Sequence, residues 1–186
     1  YYLGPEFRFS TEFYLDQKNS LFIKGSGDPL LVSEEWQRIA EQINLLPNMP
    51  KKLKRVFFDT SLFSKKIKIP GIENTNNPFD ARNGALVVNF NTVYLKVDSN
   101  GFVSSAEEQT PLTSSADSLG KRLTPGFYRI SIPPDLSFTY AGELVQSFFR
   151  REGFSFGSKK VGLRNVISED RLVYTHRNIL TLKEVT

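Results

Sequence analysis

One long apolar run constrains the fold of this chain more than any other stretch. Residues 83–97 read NGALVVNFNTVYLKV, and Asn100-Gly101 follows them as a turn signal. Val, Phe and Tyr favour β-strands, so the run predicts one long, central or half-buried strand, with a hairpin turn at Asn100-Gly101. The chain has 186 residues, of which 39% are hydrophobic and 24% are charged, a balance typical of a folded domain with a sizeable core.

Two amphipathic helices are predicted on either side of this run. The first begins at Ser33 as N-cap, carries Glu34 and Glu35 in its first turn, and places Trp36, Ile39, Ala40 and Ile43 on one stripe. The second begins at Tyr140 and ends before Gly153, with Arg150 and Arg151 in its last turn. Trp36 is therefore interpreted as a core residue.

Further strands are predicted at residues 7–15, 20–24, 54–59, 102–104 and 127–132, and residues 161–167, 171–175 and 180–185 are strands or short helices. The strand–helix–strand order over residues 20–59 predicts parallel pairing. The chain is therefore expected to have an α+β fold. Residues 1–85 and 134–186 would form a small mixed αβ subdomain, and residues 86–133 an inserted antiparallel β subdomain.

Residues 61–82 lack periodicity and contain prolines and a run of asparagines, which predicts a long loop. Loops of this length are uncommon unless they carry a function or cross between subdomains. Lys65, Lys66 and Arg82 flank the loop and are the candidates for an exposed role, with ordinary solvated surface as the alternative reading. The Gly25-Ser26-Gly27 sequence is interpreted as a tight loop, because no helix follows it to bind phosphate.

The residues themselves assign no catalytic, cofactor-binding or metal-binding side chain. Cysteine is absent, which excludes disulfides, thiolate metal sites and a cysteine nucleophile. His176 is the only histidine, and without a Gly-x-Ser-x-Gly elbow it is interpreted as structural. One Ser-x-x-Lys match exists, at Ser118 and Lys121. It lies in a polar stretch without helical periodicity, and no Ser-x-Asn or Lys-Thr-Gly accompanies it, so we interpret it as a coincidence.

The charge distribution is compatible with binding to a polyanion, although the sequence supports this function only weakly. The net charge is +4, and basic clusters occur at residues 51–55 (KKLKR), 65–68 (KKIK) and 159–160 (KK). Such clusters could contact a nucleic acid or another polyanion, although solvated surface is the simpler reading and no aromatic-interleaved recognition motif accompanies them. No nucleic-acid partner is therefore expected. No apolar stretch approaches the roughly 20 residues of a transmembrane helix.

Six segments, in order, resemble one enzyme family. They are residues 3–11 (LGPEFRFST), 21–30 (LFIKGSGDPL), 58–63 (FDTSLF), 84–93 (GALVVNFNTV), 140–144 (YAGEL) and 180–185 (LTLKEV). The series resembles the D-alanyl-D-alanine carboxypeptidases/endopeptidases of the penicillin-binding-protein-4 type, serine enzymes that trim peptidoglycan cross-links. In that family, two inserted domains interrupt a transpeptidase-like domain between its Ser-x-x-Lys helix and its Ser-x-Asn loop. This chain is similar to the interruption.

The resemblance implies a noncatalytic insert that flanks the substrate cleft in the periplasm or cell envelope. All three catalytic motifs would lie outside the chain, so no catalytic residue carries over, no cofactor is implied, and the chain alone is expected to be inactive. The opening Tyr1, without an initiator methionine, fits an excised fragment. The partners would be the parent's transpeptidase-like domain and, through the parent, peptidoglycan or its peptide stems. Two alternatives are an envelope binding module of a degenerate homologue and a basic polyanion-binding module.

Overall fold

A computed structural model describes residues 3–63, 71, 73, 75 and 77–185, which form an α+β structure as predicted. The helices are α1 (Ser33–Asn44), α2 (Ser114–Gly120), α3 (Ser137–Arg151) and α4 (Leu182–Val185). The strands are β1 (Ser10–Leu15), β2 (Leu21–Gly25), β3 (Lys52–Leu53), β4 (Val56–Asp59), β5 (Thr92–Val97), β6 (Val103–Ser105), β7 (Gly126–Ser131), β8 (Ser155–Phe156), β9 (Gly162–Leu163) and β10 (Arg171–Arg177). Within this described part, no helix is both long enough and apolar enough to span a membrane.

The largest sheet has five strands in the order β10-β1-β2-β4-β9. β10, β1 and β2 are antiparallel neighbours, whereas β2, β4 and β9 run parallel. Helix α1 connects β2 to β4, which confirms the parallel pairing expected from the strand–helix–strand order. The carboxyl ends of the three parallel strands therefore meet at one edge of the sheet.

Helices α1 and α3 pack together and cover one face of this sheet, and the apolar stripe of α1 is buried as predicted. Trp36 is fully buried, and its ring contacts Phe13 of β1 edge-to-face at 6.1 Å between centroids. On α3, Leu144 and Phe148 are also fully buried. Burial of a large apolar side chain contributes about 1.5–3 kcal/mol, so this layer supplies much of the stability of the fold. The opposite face of the sheet carries Phe22.

Both long helices begin earlier in the chain than the sequence predicts. Ser33 is the first helical residue rather than the N-cap, and Val32 precedes it without a side-chain cap. The Ser33 hydroxyl instead lies 2.8 Å from the Thr110 hydroxyl, so it connects distant segments. Helix α3 begins at Ser137 rather than Tyr140, one turn before its buried stripe. The C-terminal segment forms the single-turn helix α4.

The second large sheet has the antiparallel order β6-β5-β7. The predicted hairpin between β5 and β6 is present, with Gly101 at φ +80° and the Gly101 amide bonded to the Asp98 carbonyl at 3.0 Å. Helix α2, which the sequence reading missed, packs on this sheet. Its N-cap is Thr113, whose hydroxyl accepts the Ala116 amide at 3.1 Å. The stretch from 86 to 133 is therefore not purely β.

Buried residues connect the two large sheets. Leu95 and Val103 belong to the same apolar cluster as Phe13 and Leu144. The division into residues 1–85 with 134–186 and residues 86–133 stays a prediction.

The single long strand predicted over residues 83–97 is wrong. Only Thr92–Val97 is a strand, because Asn89, Phe90 and Asn91 have φ values of 48°, 57° and 51°. This left-handed conformation reverses the backbone, and asparagine tolerates it better than most residues. The apolar residues before the turn pack elsewhere: Ala85 approaches β2, and Val88 is buried in the core.

Candidate functional site

The carboxyl ends of β2, β4 and β9, with the loops beside them, form the candidate site. We call this region the loop edge and define it as residues 25–28, 59–63, 82–91 and 164–166. Open sheets with parallel strands commonly bind ligands at this edge, because the loops there diverge and leave a crevice.

The glycine loop after β2 packs against the backbone of the long apolar run. The Gly27 amide donates to the Ala85 carbonyl at 2.8 Å, and Gly25 leaves no room for a side chain beside Ala85. The Ser26 hydroxyl donates to the Ser10 carbonyl at 2.6 Å and accepts the Ser10 amide at 2.9 Å. The ring of Phe63 covers Gly27. These contacts confirm a tight structural loop, as the sequence predicts.

Asp59, at the end of β4, ties together two loops of the site. Its carboxylate accepts the Ser61 amide at 2.9 Å and the Val166 amide at 2.8 Å, and the residue is only 2% exposed. Burial acts to raise the pKa of Asp59, but the hydrogen bonds from Ser61 and Val166, together with nearby Lys24, hold the pKa below its ordinary value. Asp59 is therefore ionised and positions the loops that follow β4 and β9.

The left-handed turn at residues 89–91 is held by a buried polar network. The Asn89 amide nitrogen donates to the Ser33 hydroxyl at 2.9 Å and lies 3.4 Å from the Tyr140 hydroxyl. Burial raises the pKa of Tyr140 to about 12, so this hydroxyl stays protonated. The Asn91 amide nitrogen donates to the Arg82 carbonyl at 2.5 Å. The network fixes a left-handed turn in which Phe90 is the strained residue, at a cost of about 1–3 kcal/mol, and backbone strain of this kind occurs often at functional sites.

Several large apolar side chains are exposed on the loops at or beside the loop edge in sequence. Phe90, at the centre of the left-handed turn, is 51% exposed and borders a cavity of about 170 Å³ that Glu107 and Arg129 also line. The others are Leu62, Phe63 and Phe79. Of these residues, Leu62, Phe63 and Phe90 belong to the loop edge, and exposed apolar side chains of this size are often found where a protein contacts a partner.

The candidate residues from the sequence are distributed over different parts of the chain. Lys65 and Lys66 lie outside the described residues. Arg82 belongs to the loop edge, where its carbonyl rather than its guanidinium makes the contact described above. Ser118 lies in helix α2 and donates to the Ser114 carbonyl at 2.9 Å, and Lys121 pairs with Asp117 at 2.5 Å. Both members of the Ser-x-x-Lys match are therefore engaged in local helix contacts.

His176 lies in β10 and is mostly buried. Its cross-strand neighbour is Thr11, and its Nε2 atom is 3.9 Å from a carboxylate oxygen of Glu35. Burial lowers the pKa of His176, although Glu35 and Asp28 oppose this effect. The imidazole is therefore neutral at pH 7. Throughout the described ranges, no three histidine, aspartate or glutamate side chains are grouped in a way that could hold a metal ion.

Comparison with known families assigns the chain. The sequence profile of the D-Ala-D-Ala carboxypeptidase 3 (S13) family matches residues 1–117, well over half of the sequence. The chain belongs to this family. The matched residues include the glycine loop at residues 25–27, Asp59 and the left-handed turn, and the match ends within α2. No curated protein sequence matches significantly.

Solved structures of penicillin binding protein 4 (dacB) from Haemophilus influenzae share the fold. One matches with a TM-score of 0.67 and 18% identity, over 94% of this chain and 47% of that protein. Another, complexed with a β-lactam, matches with a TM-score of 0.57 and 16% identity, over 94% of this chain and 45% of that protein. The S13 chain described here thus spans about half the length of these relatives.

Proposed function

We propose that this chain is the noncatalytic insert region of a serine-type D-Ala-D-Ala carboxypeptidase/endopeptidase, a hydrolase of peptidoglycan. The main support for the proposal is that the structural match covers very different shares of the two chains. Nearly the whole chain, 94%, superposes on less than half, 47%, of penicillin binding protein 4. The transpeptidase-like domain of the parent would supply the remainder, including the nucleophile.

The environment of Ser118 supports a noncatalytic role. A serine nucleophile of this class needs a lysine amine as its general base. Here the Ser118 hydroxyl donates to a helix carbonyl, and the Lys121 amine is paired with Asp117. Lys121 also lies at the exposed C-terminal end of a seven-residue helix, so the pair is not enclosed in a cleft as a catalytic serine and lysine would be.

The loop edge is the part of the insert that would flank the substrate cleft. Three features support this placement: the convergence of the parallel strands, the strained turn at Phe90, and the exposed rings of Phe63 and Phe90. The partners there would be the transpeptidase-like domain and the peptide stems of peptidoglycan. The protein would accordingly act in the cell envelope, in the periplasm where one exists.

Variants of the full-length protein from the same gene test this placement. Phe63→Ala is expected to lower kcat/KM for release of D-alanine from peptidoglycan peptides about tenfold, which corresponds to roughly 1.4 kcal/mol of lost apolar contact. Its rate of acylation by a small penicillin should change much less, since a small penicillin offers no long peptide stem for the loop edge to contact. Leu172→Ser is the matched control, because Leu172 is a comparably exposed apolar residue on β10.

If Phe63→Ala and Leu172→Ser have the same kcat/KM as the unmodified protein, the loop edge does not flank the cleft. If the full-length protein neither cleaves the peptides nor reacts with penicillin, the parent is a degenerate homologue, and the insert belongs to an envelope binding module instead.

A further inference from the structure

The short strand pair β3–β8 brings together two basic clusters that lie about 100 positions apart in the sequence. The Ser155 amide donates to the Lys51 carbonyl at 2.8 Å, and the Arg55 side chain donates to the Lys160 carbonyl at 3.1 Å. The C-terminal end of α3 adds two arginines to the same region. We call this surface the basic strip and define it as Lys51, Lys52, Lys54, Arg55, Arg150, Arg151, Lys159 and Lys160.

The basic strip carries unneutralised charge. Among the described residues, none of its eight cations lies within 4 Å of a carboxylate, whereas Lys24, Arg38, Lys121, Arg129 and Arg164 each have such a partner. Seven of the eight residues are exposed, and Arg55 is half-buried. The carboxylate of Glu152 lies in the same region, but it accepts hydrogen bonds from the side-chain amides of Gln37 and Asn44 rather than pairing with a cation of the strip. Eight cations without carboxylate partners on neighbouring segments produce a positive potential that attracts anions.

Aromatic rings of the protein support four of these cations. Lys51 lies over the ring of Phe154 at 4.3 Å from its centroid, and Arg55 lies over Phe57 at 5.1 Å. The other two pairs are Arg150 over Phe156 and Arg151 over Phe148. Cation–π contacts restrict long side chains before any ligand arrives, so less conformational entropy is lost on binding.

One end of the basic strip continues into a groove on the face of the five-stranded sheet opposite α1 and α3. The groove has a volume of about 550 Å³ and is lined by four cations, three acids and the stacked rings of Phe22 and Phe57. Two of its acids are engaged: Asp170 pairs with Arg164 through both oxygens at 2.8 Å, and Asp16 accepts backbone amides. The cations of the groove are Lys18, Lys54, Arg55 and Arg164.

We propose that the basic strip and this groove bind a linear polyanion whose charges are phosphate groups. Arginine and lysine are the side chains that recognise phosphate, and a strip that continues into a groove fits an extended chain better than a compact anion. This proposal rests on the charges and geometry of the strip, and it is independent of the role proposed above for the loop edge.

Two other polyanionic partners fit the surface less well. A membrane-binding surface needs several apolar side chains that insert together, typically from one amphipathic helix. The exposed large apolar residues beside the strip and the groove include Leu45, Leu163 and Ile167, which follow α1, lie in β9 and follow β9, so no single helix presents them as one apolar face. Single-stranded nucleic acid needs free aromatic faces for base stacking. The rings of the strip are instead covered by its own cations, and Phe148 and Phe154 are almost fully buried.

Binding of fluorescently labelled linear inorganic polyphosphate to the full chain, followed by anisotropy, tests the proposal. If about five phosphates are contacted, log K should fall with log salt with a slope of about −3.5, so that affinity drops roughly 100-fold between about 50 and about 200 mM salt. Absence of binding at low salt would overturn the proposal. So would tighter binding of single-stranded DNA than of polyphosphate, or binding to phosphatidylglycerol vesicles without binding to polyphosphate.

A charge-matched pair of variants separates the strip from net charge. The strip variant combines Lys51→Gln, Lys159→Gln and Lys160→Gln, and is expected to reduce the salt slope to about −1.4, because up to three phosphate contacts are lost. The control combines three exposed cations from elsewhere, Lys96→Gln, Arg122→Gln and Lys183→Gln, and should bind as the unmodified chain does. Equal losses in both variants would contradict a specific site.

Thermal unfolding establishes that each variant is folded. If the strip variant is unfolded, the pair Arg150→Gln with Arg151→Gln replaces it, because both side chains are exposed at the end of α3. That pair is expected to weaken polyphosphate binding at least fivefold at low salt, and unchanged binding would overturn the proposal.

Discussion

Replacing Gly25 by alanine should be one of the most damaging small substitutions in the chain. A Cβ atom at Gly25 would lie 2.7 Å from the Ala85 carbonyl carbon and closer still to its oxygen, and 3.0 Å from the Leu86 Cα. All three atoms belong to the backbone, so no side chain can rotate away to relieve the overlap. The segment after Gly84 would have to move away from β2.

The expected cost follows from two contributions. Overpacking in a well-packed region costs typically about 1–3 kcal/mol, and a clash with backbone belongs at the upper end. Displacing Ala85 also breaks its hydrogen bond with the Gly27 amide, which contributes about 1 kcal/mol. The sum, about 4 kcal/mol, corresponds to a Tm decrease of about 8–16 °C for a chain of this length.

Urea unfolding followed by circular dichroism measures the change directly, and an unchanged m value would show that the variant unfolds from a similarly compact state. Gly4→Ala is the matched control, because nothing lies within 4 Å of a Cβ at that position. If Gly25→Ala unfolds within about 0.5 kcal/mol of the unmodified chain, the close approach of residues 84–86 to β2 is incorrect.

Substitutions at three further positions test the buried polar groups and the strained turn. Burial lowers the pKa of His176, so the unfolded chain binds a proton more readily than the folded chain does. The free energy of unfolding should therefore fall as the pH drops below about 6.5. In urea titrations at about pH 7.5 and about pH 5, His176→Gln should show a smaller difference between the two pH values than the unmodified chain does. Asp59→Asn should cost about 1–3 kcal/mol at pH 7, because two amides lose a charged acceptor. This cost should shrink in acid, where the stability due to the lowered pKa of Asp59 is lost as the carboxylate is protonated. Phe90→Gly should be more stable than Phe90→Ala by about 1 kcal/mol in thermal unfolding, because glycine adopts a φ of 57° without a steric penalty.

Each of these predictions has a clear contrary result. Equal pH dependence of the unmodified chain and His176→Gln would mean that the imidazole is not buried in its neutral form. A cost of Asp59→Asn that stays constant from neutral to acidic pH would contradict the ionised clamp. Phe90→Ala as stable as Phe90→Gly would contradict the left-handed turn.

The sequence predicted those parts of the fold that depend on local periodicity. The i, i+3, i+4, i+7 spacing from Trp36 to Ile43 identified the buried face of α1, because helical geometry alone places these residues together. The strand–helix–strand order likewise determined the parallel pairing of β2 and β4. The predicted α+β class and the family resemblance were also confirmed, by the structure and by the family match. Both predictions depend on the order of segments along the chain.

Features that depend on tertiary contacts were not accessible from the sequence. The strand at residues 83–97 was overestimated because Ala85 and Asn89 bind to partners distant in the chain, Gly27 and Ser33. Helix α2 lacks an apolar stripe and was missed, although the Thr113 cap was a usable signal. The clamp at Asp59 forms only when β4 pairs with β9, and the basic strip forms only when β3 pairs with β8. No spacing in the sequence indicates those pairings.

Intact mass after incubation with a reactive penicillin tests the central claim most directly. The samples are the 186-residue chain and the full-length protein from the same gene. We predict an acyl adduct on the full-length protein alone, because the nucleophile would lie in the transpeptidase-like domain. An adduct on the 186-residue chain would contradict the account and point to Ser118, and the absence of an adduct on both would contradict the assignment to a working carboxypeptidase.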